Sequence, residues 1–132
     1  MNEYDSAEMS TMNDKLIQTC KRLMALADPK KKSLQKNIHT IDDVKLAVFS
    51  GLFVFLYDSL IGNEQHNPIS TSKKGKIEDL AKVIDGISQI FEIDVSKIDA
   101  QSIIEGNECQ TLEIFLIFER LFQQKIRYED HS

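Results

Sequence analysis

Three histidines, two cysteines and a scatter of carboxylates are the residues here that could carry acid–base, nucleophilic or metal chemistry. His39, His66 and His131 fall in predicted loops or the tail, with no carboxylate or cysteine at ligand spacing, whereas a metal site needs a cluster of such donors. Gly75-Lys76 lacks the upstream glycine and the following Ser/Thr of a phosphate-binding loop. Asp94, Asp99 and Glu105 do not alternate around a glycine as calcium-loop ligands do. The acidic pairs Asp42-Asp43 and Glu78-Asp79 sit at predicted helix starts, where they complement the helix dipole. The residue pattern therefore points to no catalytic residue, no cofactor site, no metal site and no enzyme.

Two lysine groups remain. Lys30, Lys31, Lys32 and Lys36 lie in one predicted basic connection (29–41), and Lys73, Lys74 and Lys76 end a second predicted loop (62–76). A charge run of this kind can be no more than a solvated loop. If both loops shared a side of the fold they would form a composite basic face. Its natural partner is an extended acidic surface, attracted over long range and released by salt.

The elements that must position these loops are helical. Asp43–Gly62 is the organising stretch, because from Leu46 to Ile61 only Ser50, Gly51, Asp58 and Ser59 interrupt apolar side chains. That run is too long for a strand, and Lys45 and Asp58 argue against a membrane span. It reads as one central helix buried on most sides, closed by Gly62. Ahead of it, Thr11 and Asp14 read as a capping-box start. Met12, Leu16, Ile17, Cys20, Leu23, Met24 and Ala27 then follow at helical spacing up to Asp28-Pro29. Behind it, Ile77, Leu80, Ala81, Ile84, Ile87 and Phe91 predict a third helix. An apolar bend with Ile93, Val95 and Ile98 follows, then a short helix over about 100–105. Gly106 is placed as the C-cap of that short helix. Asn107 with Gln110 opens a last helix carrying Leu112, Phe115, Leu116, Ile117, Phe118, Leu121 and Phe122. The expected fold class is all-α: a disordered lead-in at 1–10, one globular domain over 11–126 with four main helices and short connecting helices, and a loose tail at 127–132.

At 132 residues the chain can bury a core without disulfides or metal. A net charge of −5 argues against a general nucleic-acid binder. The charge is polarised: residues 1–76 hold 11 Lys/Arg against 9 Asp/Glu, and residues 77–132 hold 5 against 12. Cys20 and Cys109 read as buried thiols of a reducing compartment, with a disulfide as the alternative. The polar, acidic start is not a signal peptide and no Asn-x-Ser/Thr acceptor occurs, so the expected location is the cytoplasm.

The run VSKIDAQSIIEGNECQTLEIFLIFERLF (95–122) resembles the C-terminal signature of calponin-homology domains, in which an acidic-Gly-Asn triplet separates a short helix from a long apolar one. Ile103, Ile104, Glu105, Gly106 and Asn107 occupy those positions, and the order and lengths of elements agree across about 12–126. The chain has no tryptophan, whereas actin-binding members of the family carry them in the first and last helices and generally use two domains in tandem. The likeness is instead to the divergent branch found in centrosomal, ciliary and kinetochore proteins. That resemblance implies a non-catalytic cytoskeletal module that binds microtubules or tubulin, or associates with the centrosome, basal body or cilium. Lys30, Lys31, Lys32, Lys36, Lys73, Lys74 and Lys76 would then be the tubulin-binding residues, and Gly106 and Asn107 a structural turn. The competing expectation is an adaptor that docks a coiled-coil centrosomal or ciliary protein through an apolar groove. Neither reading calls for actin, nucleic acid, a membrane or a cofactor.

Overall fold

The structure of the protein, a computed structural model, describes the backbone of residues 3–27, 37–62 and 70–130, and the side chains of 11–27, 37–62 and 70–125. Lys30, Lys31, Lys32, Lys36, His66, His131 and the expected stop at Asp28-Pro29 lie outside the described residues. Six helices occur among the described residues: α1 (Glu3–Ala27), α2 (Ile41–Phe49), α3 (Leu52–Ile61), α4 (Lys73–Phe91), α5 (Ala100–Ile104) and α6 (Glu108–Asp130). No strand occurs among the described residues, so the all-α class holds.

The expected single central helix is two. Ser50 and Gly51 interrupt it, and α3 leaves α2 at 68°. Gly51 has φ 103°, a left-handed conformation that residues with a Cβ adopt at a cost. The break divides the labour of the apolar run. Beyond it, Leu52, Phe53, Leu56 and Leu60 are buried. Before it, only Val44 and Val48 are buried, while Leu46 is 65% and Phe49 41% exposed. Burial on most sides is therefore true of α3 and not of α2. No single described helix is long and apolar enough to cross a membrane; α2 and α3 reach that length only together, across the bend.

Phe53 of α3 meets two rings of α6, Phe115 at 5.4 Å and Phe118 at 5.9 Å between centroids. Both α6 rings are fully buried. On the other side α6 packs along α1, its most extensive neighbour. The two run parallel: Leu16 and Thr111 line one cleft, Arg22 pairs with Glu119, and the Ala27 carbonyl is joined through Ser59 to Lys125. Leu80, Val83, Ile84 and Ile87 of α4 close the core. Gly86 lets α4 approach Tyr57 of α3, where an added Cβ would stand 2.3 Å from the phenol oxygen.

Several ends differ from expectation. Helix α1 starts at Glu3, so residues 3–10 continue it instead of forming a disordered lead-in, and Thr11–Asp14 lies inside it. An uninterrupted helical stretch has no use for a cap there. Helix α6 runs through Asp130, so the expected loose tail is helical to that point. Helix α4 starts at Lys73, capped by Ser72 Oγ accepting from the Gly75 amide at 3.0 Å, one turn before the expected apolar stripe. Helix α2 is opened by a full capping box. Thr40 Oγ1 accepts from the Asp43 amide, and the Asp43 carboxylate accepts from the His39 and Thr40 amides. Those amides hold the Asp43 carboxyl below the usual carboxylate range. Cys20 is buried as expected, and burial pushes its thiol up to about 12. Cys109 is exposed, because the second residue of α6 faces outward there. Both cysteines are free thiols.

The break is testable. Were 41–61 a continuous helix, Gly51→Ala would stabilise it by about 1 kcal/mol through helix propensity. With Gly51 left-handed, the same change costs about 1–2 kcal/mol. Urea denaturation should show the loss, and a gain would reject the bend. Leu56→Ala, at a position with 0% exposure, should cost about 2–5 kcal/mol in the same measurement.

Candidate binding face

The three described lysines of the second basic group do not sit in a loop. Lys73, Lys74 and Lys76 occupy the first turn of α4. Cations there oppose the helix dipole, each at a cost of about 0.3–1 kcal/mol. Neighbouring elements offset this for two of them. Lys73 Nζ lies 3.1 Å from Glu105 Oε1, at the end of α5. Lys76 Nζ donates to the Phe49 carbonyl at 2.6 Å and stands 4.3 Å from the centroid of the same residue's ring. It thereby satisfies one of the carbonyls left over where α2 stops, and adds a cation–π contact. Lys74, one residue away around the helix, is exposed.

A fourth lysine joins this group from α2. Lys45 Nζ is 3.4 Å from Glu108 Oε1, at the start of α6. Lys45 and Phe49 are four apart, so they share a side of α2, with Leu46 beside them. The result is one face: Lys45, Leu46 and Phe49 from α2, Lys73 and Lys76 from α4, and Glu105 and Glu108 from either side of the α5–α6 turn.

That turn is rigid. Gly106 has φ 100°, and its amide donates to the Ile103 carbonyl while the Asn107 amide reaches Ser102. Asn107 Oδ1 accepts from the Gln110 amide at 3.0 Å, which caps α6. The Gln110 side chain does not complete the expected box. It accepts from the Asp99 amide at 2.6 Å and donates to the Lys97 carbonyl at 2.9 Å, tying the 95–99 bend to α6. Asp99 in turn caps α5 through Ser102. Gln101 and Lys73 together hold the Glu105 carboxyl below its ordinary range.

Chemically the face offers ammonium groups, two paired carboxylates and exposed hydrocarbon. The clefts beneath it, about 30 Å³ and 20 Å³, have room for little more than water. A wider groove of about 460 Å³ opens between α4 and residues 95–101, lined by Ile77, Ile84, Val95 and Ile98 together with Asp85 and Asp99. Among the described residues no group of three or more His, Cys, Asp or Glu is placed to hold a metal ion.

Of the lysines expected to bind, Lys30, Lys31, Lys32 and Lys36 lie outside the described residues. Lys76 is brought onto Phe49 and Lys73 onto Glu105, and Lys74 is exposed on the same turn of α4. Lys45, Leu46 and Phe49 were not singled out, because a run taken as one buried helix leaves no exposed side to α2. Gly51 within that run is the signal that could have found them.

Compared with protein-family models, curated proteins and solved structures, the chain matches none.

The turn carries a prediction. Asn107→Ala should cost about 0.5–2 kcal/mol through loss of the α6 cap. Gly106→Val should cost more than Asn107→Ala, since a β-branched residue is strained at this φ. Thermal melts unchanged in both variants would reject this account of the turn.

Proposed function

We propose that this chain is a non-catalytic binding module that docks an acidic protein surface, with tubulin on the microtubule as that surface. One observation carries the reading: Lys76 lies on Phe49, which is 41% exposed, with Lys73 on the same turn of α4 and Lys45 and the 65% exposed Leu46 on the same helix as Phe49. Exposed ammonium groups supply steering and reach, while the apolar pair supplies area worth removing from water. The resemblance of residues 95–122 to divergent calponin-homology domains names tubulin among acidic surfaces, and with it a cytoplasmic place at the centrosome, basal body or cilium. Lys30, Lys31, Lys32, Lys36 and Lys74 would extend the contact.

The groove between α4 and residues 95–101 favours a second reading, an adaptor that takes a helix of a coiled-coil partner. With Asp85 and Asp99 in its lining, that helix would carry basic residues.

Co-sedimentation with microtubules at low ionic strength and above physiological ionic strength separates the two. The parent should sediment at low salt and be released as the screening length falls below about 10 Å. Leu46→Ser, Lys73→Glu with Lys74→Glu, and the triple change of Lys30, Lys31 and Lys32 to Glu should each weaken binding several-fold without altering the thermal melt. A single Lys→Ala should barely register, since an exposed charge contact contributes only about 0–1 kcal/mol. If the folded parent never sediments with microtubules at low salt, the tubulin reading fails and the adaptor reading takes its place.

A further inference from the structure

Two of the lysines on this face are already bound to carboxylates, and both carboxylates belong to one turn. Glu105 Oε1 receives Lys73 Nζ at 3.1 Å and Gln101 Nε2 at 3.2 Å. Glu108 Oε1 stands 3.4 Å from Lys45 Nζ. The lysine stem lies near the turn, with Lys45 Cε 4.0 Å from where a Cβ on Gly106 would be. The turn does not need these contacts for its shape. Backbone bonds from Glu105, Gly106 and Asn107 close it, and Asn107 caps the next helix. Both pairs are open to water, with side-chain exposures of 57% and 45% for Lys73–Glu105 and 45% and 30% for Lys45–Glu108. Such pairs add little to stability and exchange readily for other carboxylates.

We propose that Lys45 and Lys73 are two carboxylate-receiving positions, and that Glu105 and Glu108 occupy them as internal stand-ins until the acidic side chains of a partner displace them. This rests on reading the face as a docking surface, and it specifies the ligand chemistry: an acidic peptide segment presenting two carboxylates, one to Lys45 and one to Lys73. Lys76 is a fixture of the face and not one of these positions, because its acceptor is the Phe49 carbonyl, which closes the end of α2. Lys73 gains doubly from any carboxylate, since it sits at the positive end of α4 where a bare ammonium is disfavoured.

The probe is a fluorescently labelled polyglutamate peptide, titrated at low salt into the parent and into Glu105→Gln, Glu108→Gln, their double variant and Glu113→Gln. Glu113 is exposed on α6 and serves as the control for charge alone. Each stand-in variant should bind the peptide about two- to fivefold tighter than the parent, and the double variant should gain both factors. Glu113→Gln should move affinity less than either, and all four should melt with the parent. Equal gains from Glu113→Gln would show a general charge effect and overturn the proposal. No gain in the double variant, or no binding by any protein, would overturn it too. If the peptide behaves as expected while microtubules are not bound, the tubulin reading fails and the stand-in role survives.

Discussion

The left-handed residue at Gly51 is the constraint on which the rest of this structure depends. The twelve apolar residues among the sixteen positions 46–61 cannot all be buried by one straight helix in a domain of this size. A 68° bend at Ser50–Gly51 resolves the conflict by giving the two halves different surroundings. Helix α3 goes inward, where Phe53 meets Phe115 and Phe118. Helix α2 stays outside and presents Leu46 and Phe49. The bend also ends α2 early: the Ser50 and Gly51 amides take the Leu46, Ala47 and Val48 carbonyls, and Lys76 reaches across from α4 to the Phe49 carbonyl.

Electrostatics follows from that geometry. Lysines in the first turn of a helix are badly placed for the helix itself, and here two of the three are drawn into contacts with other elements. The C-terminal end of α2 and the carboxylates around the α5–α6 turn are the complementary groups, and all of them meet on one side of the domain. The polarisation of the chain, basic before residue 77 and acidic after it, is thus expressed as cross-pairing between elements.

Beneath this face the support is ordinary and strong. Helix α6 is shared between α1 and α3, and its buried Phe115, Phe118, Leu121 and Phe122 fill the centre. The α5–α6 turn is fixed at both ends by local caps, and Gln110 links it to the 95–99 bend. Glu105 and Glu108 therefore flank a turn that is held by its own backbone bonds and caps.

Much of this was legible in the chain because it is local. Helical stripes depend on spacings of three and four, and caps on bonds spanning about three residues. The stripes of α1, α4 and α6, the glycine stops at Gly62 and Gly106 and the Asn107 cap could therefore be read from neighbouring residues alone. The all-α class follows from the same periodicity. What only the tertiary structure decided involves competition between distant groups. Whether Gly51 bends a helix or rides within it depends on what is available to bury Leu52 and Phe53. That Lys45 meets Glu108, that Lys73 meets Glu105 and that Cys109 faces water are consequences of how α2, α4 and α6 come together. No spacing along the chain encodes those meetings, because each joins residues brought close only by packing of the core.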